Sequence, residues 1–286
     1  MHSGSSLKPS VCFLFDNGSL RPASTLSLRV TARMLAAELG VEVRATSLLH
    51  SSAVDSAGLG GQPAQLLEPA LTAFLAGNAV AEVVVLPLFF GPSGALTDYV
   101  PERLAALAKK FPLARLSLAR GLVDPAEVAD DRIARALADA VRRQLVGENL
   151  VRPKVVLVDH GSPQRAVTAV RDFLGRQLQG LLADEAETVA VASMEKRAGA
   201  AFAFNDPLLA ERLRTPPFDR GDVVVALQFL SPGRHAGPDG DVARICAEAR
   251  GERPELRTFL TETIASDQRV VAVLVDRYRQ ALQAGA

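Results

Sequence analysis

Apolar and polar positions along the chain fall into two textures that alternate. Short, nearly continuous apolar runs, rich in β-branched residues, occur at Val11 to Phe15, Val83 to Phe90, Val155 to Val158 and Val223 to Leu230. Runs of this kind have no polar face to turn to water, which is how strands of a parallel sheet covered on both sides read. Val41 to Leu49 and a segment near Leu116 supply further strands in the first half, and Val189 to Met194 supplies one in the second. Between them the apolar positions recur at helical spacing. A helix is predicted over Ser24 to Leu39, with Leu28, Leu35 and Leu39 on one face and Gly40 as its stop. Others follow at Leu66 to Leu75, Glu102 to Lys110 and Asp130 to Leu145, and one starts from Pro207. Strands alternating with helices predict the α/β class, with parallel sheets flanked by helices.

The order of elements is repeated. Val155 to Val158 ends in Asp159-His160-Gly161-Ser162, as Val11 to Phe15 ends in Asp16-Asn17-Gly18-Ser19. The run from Val223 through Phe229 to His235 aligns without a gap on the run from Val83 through Phe89 to Ala95. Leu260 to Ile264 and the helix ending near Leu282 match Leu118 to Leu122 and the helix over Asp130 to Leu145. The chain therefore reads as a duplication, with one domain over residues 1–148 and a second over 149–286.

Composition narrows the class. The chain has 286 residues, 48% of them hydrophobic and 22% charged, which suits two globular α/β units. Its formal net charge is zero, so there is no global attraction to nucleic acid or an anionic membrane. The apolar runs are too short for a signal-peptide core or a bilayer span, and the polar start from Met1 to Ser10, with His2, reads as a tail. Cys12 and Cys246 lie far apart and outside any zinc-thiolate pattern, so the expectation is a reducing, cytoplasmic setting. No Gly-x-Ser-x-Gly elbow and no phosphate-binding Gly-Lys loop appears, and Gly58 to Gly61 is read as a plain loop.

The halves differ where chemistry would be expected. His160 and His235 follow apolar strands, at the carboxyl edge where open α/β sheets place their ligands. Their counterparts in the first half are Asn17 and Ala95. A neutral imidazole binds first-row metals well, whereas an amide oxygen is a weak ligand and a methyl group is none. Both histidines are present in one half and both absent from the other, which favours a shared task, the holding of a divalent metal. The competing reading of either histidine alone is a turn or hydrogen-bonding residue. Asp239 and Asp241 follow His235 closely, either as further carboxylate ligands or as caps of the next helix. His50 follows the second strand of the first half and either lines the cleft and touches substrate or only ends the strand, the second being the preferred reading.

Asp-His-Gly-Ser after a Val-rich strand, and Phe-Leu-x-Pro-Gly-Arg-His after another, resemble the class II tetrapyrrole chelatases, in particular the sirohydrochlorin cobalto- and ferrochelatases. The resemblance covers both halves in order of elements, and its motif residues are complete only in the second. It implies two domains of about four parallel strands each, enclosing a cleft where a divalent metal enters a tetrapyrrole in cobalamin or sirohaem biosynthesis. The metal is then a substrate, Co2+ or Fe2+ with Ni2+ as a third candidate, and no organic cofactor is implied. Carried over, His160 and His235 are the metal-binding and catalytic pair, and Glu195, after the second strand of the active half, is the third site residue. Glu195 has a plainer alternative as an ion-pair partner of Lys196 and Arg197. A polycarboxylated macrocycle calls for nearby cations, and Arg165, Lys196, Arg197 and Arg234 lie within a few residues of the implied ligands. The segment from Arg197 to Phe204 is an insertion relative to the short form of the family, a lid over the cleft or a modifier of substrate choice. The expected protein is a monomer or weak homodimer with a tetrapyrrole as its partner, without nucleic acid or membrane. The rival functions are a non-catalytic metal- or tetrapyrrole-binding protein of the same fold, and an unrelated α/β enzyme whose histidines act on another small molecule.

Overall fold

The computed structural model describes residues 10–284; His2 and most of the polar start lie outside the described residues. In chain order the first half contains β1 (Ser10–Asp16), α1 (Pro22–Leu39), β2 (Glu42–Ser47), α2 (Leu67–Gly77), β3 (Glu82–Pro87), α3 (Val100–Lys110), β4 (Arg115–Leu118) and α4 (Arg132–Gly147). The second half contains β5 (Lys154–Asp159), α5 (Arg165–Leu181), β6 (Thr188–Ser193), α6 (Leu209–Arg212), β7 (Gly221–Leu227), α7 (Asp241–Glu252), β8 (Leu256–Leu260) and α8 (Gln268–Ala284). Among the described residues no helix is long and apolar enough to cross a membrane.

Each half forms a four-stranded sheet, ordered β2-β1-β3-β4 in the first and β6-β5-β7-β8 in the second. All pairings are parallel. The central strands are buried on both faces, as Val83 to Leu86 and Val155 to Val158 show, which is why they read as unbroken apolar runs. In this order the chain leaves β5 toward β6 on one side and returns to β7 on the other. The carboxyl ends of β5 and β7 therefore flank the point where strand order reverses, the usual crevice for a ligand in an open α/β sheet. His160 directly follows β5, and His235 lies in the loop after β7.

The duplicated elements hold at the level of hydrogen bonds. Leu49 N donates to Asn17 O at 3.1 Å, and Glu195 N donates to His160 O at 3.1 Å. Two elements depart from their counterparts. The helix expected from Pro207 is a single turn, Leu209–Arg212, where α2 runs from Leu67 to Gly77. Pro216 and Pro217 follow closely, and proline disfavours helical backbone at the residue before it. Ala95 opens a π-helical turn that runs straight into α3, whereas His235 stays in an irregular loop ending at Gly240, with Pro232, Gly233, Gly237 and Pro238 breaking the helix.

The compact units do not coincide with the repeat boundary at 148/149. One unit comprises residues up to Leu122 with those from Val271 onward, and the other comprises Val123–Val270. The cause is the last helix of each repeat. α4 buries Ile133, Leu137 and Val141 and packs against α5 and β7 of the second sheet. Most of α8 belongs to the first unit, where the buried Arg277 donates from Nε to Gly121 O (3.0 Å) and from its terminal nitrogen to Leu122 O (3.1 Å).

Two buried carboxylates show how the halves diverged. Asp159 at the end of β5 accepts a 2.6 Å bond from Ser193 Oγ, and Ser193 accepts a 2.6 Å bond from the fully buried Arg171. Asp16 holds the corresponding position in β1, but the residue matching Arg171 in α1 is Leu28. Without that cation, burial pushes the Asp16 carboxyl up to about 6, despite hydrogen bonding with Ser47, Gly18 and Ser24. A folded-state value above the ordinary 3.8 means that ionisation opposes folding. The penalty is absent at pH below about 4, grows as pH rises to about 6, and stays constant above, with an upper limit of ~3 kcal/mol. Asp16→Asn is therefore expected to raise stability in denaturant titrations at pH 8, with the gain shrinking to nothing as pH falls to 4. An equal gain at both pH values would refute this reading. A second expectation follows from the helix exchange. A fragment cut at the repeat boundary, residues 149–286, lacks α4 and carries α8 without its partners, so it should unfold without a cooperative transition by circular dichroism.

Candidate functional site

The site is built at the main chain first. After β5 the backbone turns through Gly161 at φ +90°, and a Cβ there would lie 1.9 Å from the carbonyl oxygen of Glu195. Only glycine permits this approach. It places the chain carrying His160 against the chain carrying Glu195, joined by the Glu195 N to His160 O bond. The His235 loop is fixed in a similar way. A Cβ on Gly240 would lie 2.6 Å from His235 O, and that oxygen accepts a bond from Val242 N at 3.2 Å in the first turn of α7.

These turns bring the predicted residues together. The rings of His160 and His235 meet edge to face, with centroids 4.6 Å apart and planes at 81°. His160 Nε2 lies 3.7 Å from Glu195 Oε1. His160 Nδ1 stands 3.1 Å from Gly161 O, and His235 Nδ1 stands 2.7 Å from Asp241 Oδ2. A carbonyl oxygen and a carboxylate only accept, so each Nδ1 carries the proton and each Nε2 presents a lone pair. A ring nitrogen engaged this way fixes the tautomer and orientation of the other, as in histidines that bind metals. Asp241, the first residue of α7, is thus a support for His235. Burial acts against its charge, yet the His235 hydrogen bond and the nearby Arg244 and Arg234 hold its carboxyl below the usual range.

Beneath His160 lies a fully polar but buried support. Burial pushes the Asp159 carboxyl up, opposed by the Ser193 hydrogen bond and the charge of Arg171. Arg171 also donates to Asn205 O at 2.9 Å. Asn205, itself fully buried, accepts from Ser162 N (2.9 Å) and Thr168 Oγ1 (3.1 Å) and donates to Ser162 O (2.9 Å). The insertion therefore folds into a 3-10 turn, Ala200–Asn205, whose last residue clamps the loop after His160.

The predicted cations separate into two groups. Arg165 stacks over the Phe204 ring at 4.7 Å, Arg197 over Phe202 at 6.0 Å, and Lys196 pairs with Asp206. All three are engaged with the insertion or its end. Arg234 is 79% exposed, with Nε 3.5 Å from Asp241 Oδ2. Asp239 is exposed and His50 is an exposed residue at a positive φ just after β2. In the first half, Leu49 holds the place of Glu195, and it lines an apolar cavity of about 230 Å3 with Leu48, Leu66, Leu71, Tyr99 and Leu104.

Arg171 and Asn205 escaped the sequence reading. The replacement of Leu28 by an arginine at the matching position was the available signal for Arg171; nothing local marked Asn205. Asp241 was visible only as a rival ligand or cap. Among the described residues no three His, Cys, Asp or Glu side chains already form a set able to hold a metal ion. The arrangement is more open than a cage: two imidazoles in contact, and a 63% exposed carboxylate beside one of them.

Comparison with known proteins follows the same division. Residues 154–281 match the CbiX family model. No curated protein sequence matches the chain. Among solved structures, the chain is similar to SirB from Bacillus subtilis with Fe3+, at 16% identity and a TM-score of 0.68, covering 96% of this chain and 97% of that one. It is also similar to the sirohydrochlorin chelatase SirB from Bacillus subtilis subspecies spizizenii in complex with cobalt, at 15% identity and a TM-score of 0.66, covering 96% of each chain. A third structure, CbiX, the terminal enzyme for biosynthesis of siroheme in denitrifying bacteria, matches at 14% identity and a TM-score of 0.57, covering 96% and 99%. At these identities the likeness establishes the fold. The chain thus has the tandem α/β fold of the SirB and CbiX chelatases, and its segment 154–281, which carries both histidines, matches the CbiX family model.

Proposed function

We propose that the protein is a sirohydrochlorin-type chelatase that inserts Co2+ or Fe2+ into a polycarboxylated tetrapyrrole, with the metal handled by the second half. The observation that carries this reading is the pair of imidazoles at the carboxyl ends of β5 and β7, 4.6 Å apart, each with Nδ1 engaged and Nε2 available. The CbiX family match over 154–281 supports it, as do the iron and cobalt found in the SirB structures.

In this reading the two Nε2 atoms take the metal from solution, and Glu195, exposed and 3.7 Å from His160, moves in as a third donor. Cobalt(II) and iron(II) accept imidazole and carboxylate together. Three protein ligands leave coordination positions for pyrrole nitrogens, so the ion passes from protein to macrocycle by ligand exchange. Two N–H protons leave the macrocycle as its four nitrogens bind the metal in place of the protein ligands. The histidines and Glu195, released as the metal departs, are the acceptors at hand.

The test is metal insertion followed by absorption spectroscopy, with purified protein, sirohydrochlorin and Co2+ or Fe2+. Faster conversion than the protein-free control, over many turnovers, is expected. Stoichiometric binding without turnover would overturn the catalytic reading in favour of a carrier. His160→Ala and His235→Ala should each abolish metal binding by calorimetry, while Asn17→Ala should leave it unchanged; retained binding in either histidine variant would count against the site. Asp241→Ala is expected to weaken metal affinity by about 10–100-fold while leaving the fold intact, because it removes the group that orients His235.

A further inference from the structure

We infer that a groove along α7, beside His235, receives carboxylate arms of the macrocycle, and that Arg244 and Arg250 determine its preference for a polycarboxylated substrate. This rests on the chelatase reading for the identity of the ligand, and on the groove itself for the site. The groove, about 510 Å3 in volume, is lined by Pro238, Asp239, Gly240, Arg244, Ala247 and Arg250 among others. It begins where the His235 loop ends, since Gly240 packs against His235 O. Asp241 links the two directly: one carboxylate oxygen takes the bond from His235, and the other takes a 2.9 Å bond from an Arg244 terminal nitrogen. Arg244 is thus one carboxylate removed from an implied metal ligand, and at 68% exposure it reaches solvent.

Three observations make this an anion-receiving surface. Gly240, Ala243 and Ala247 line the groove beside Arg244 and Arg250, the latter also donating to Thr258 Oγ1, and a guanidinium fork matches a carboxylate in shape as well as charge. Arg165 and Arg197 stack on rings of the insertion and Lys196 pairs with Asp206, whereas Arg234 and Arg244 stand exposed around Asp241, the carboxylate that holds His235. The duplicated helix supplies the third. At the positions of Asp239, Gly240, Arg244 and Ala247, the first half has Tyr99, Val100, Leu104 and Leu107, which line a largely apolar cavity, while Arg250 has a cationic counterpart in Lys110, so the contrast falls on Arg244. An arginine at the Leu104 position occurs in the half that carries the histidines.

The experiment uses the full chain and two readouts. In steady-state insertion, Arg244→Ala and Arg250→Ala should each raise KM for the polycarboxylated macrocycle by at least about tenfold, with a smaller effect on kcat. Arg244→Lys should restore part of the loss, and the effect should shrink for a macrocycle with fewer carboxylates. Calorimetry with Co2+ alone checks that Arg244→Ala has not acted mainly through Asp241 and His235: a loss of metal affinity well below that of Asp241→Ala is expected, and a loss matching it would overturn the groove role for Arg244. The second readout is equilibrium binding of the metal-free macrocycle, independent of turnover. Weakened binding in the double variant supports the groove even if no insertion occurs, in which case the chelatase reading alone fails. Unchanged binding in the double variant, with insertion lost in His160→Ala, overturns the groove and leaves the chelatase reading standing.

Discussion

The hydrogen bond from Ser193 to Asp159, with Arg171 behind it, is the interaction on which the second half depends. A carboxylate at the end of a strand buried on both faces cannot be left to itself, because desolvation opposes its charge. Ser193 ends the neighbouring strand β6, and Arg171 reaches both Ser193 and the carbonyl of Asn205. The bond therefore joins β5, β6, α5 and the insertion at one point, immediately before His160. Truncating the arginine would leave an uncompensated buried group, which is far more damaging than losing an exposed ion pair.

The first half shows what happens when that constraint is relaxed. It keeps the carboxylate as Asp16 and the serine as Ser47, but Leu28 replaces the arginine, and burial raises the carboxyl accordingly. Asn17, Ala95 and Leu49 stand where the second half has His160, His235 and Glu195. The main chain is conserved between the halves down to the bond that links the ends of the first two strands, while the side chains at the same sheet edge change from metal-ligand types to an amide and two apolar residues. Backbone geometry in a parallel sheet is shared by every residue of the ladder, so it resists local change. Side chains at the strand ends belong to loops and can be exchanged one at a time.

Much of this architecture was legible in the chain itself. Continuous apolar strands, helical spacing and the alignment of the halves reveal the sheets, because burial on both faces leaves a strong signature. His160 and His235 stood out because residue type and strand-end position both mark them, whereas Glu195 came from the family resemblance. The assignment of α4 and α8 to compact units was not legible. An amphipathic helix shows that it has a partner and not which sheet that partner belongs to, so the boundary at 148/149 follows the repeat rather than the packing. Asn205 was hidden for a related reason: its importance lies in bonds to Ser162 and Thr168, far away in sequence. Sequence proximity alone did not reveal that Arg165 and Arg197 stack on rings of the insertion and that Lys196 pairs with Asp206.

The same geometry explains why an incomplete metal site suits the proposed reaction. A closed set of ligands around a divalent ion holds it as structure, whereas transfer requires that each protein bond be replaced in turn. Here the two imidazoles are held by their Nδ1 atoms, one by a main-chain carbonyl and one by Asp241, so their positions survive the departure of the ion. Glu195 has no such restraint beyond its main-chain bond and its side chain is mostly exposed. In the proposed reaction, held donors on one side and an exposed carboxylate on the other would let a metal be received, presented and released without rearranging the sheet. The rigidity comes from the buried support under β5 and the start of α7, and the freedom comes from leaving the third donor in solvent.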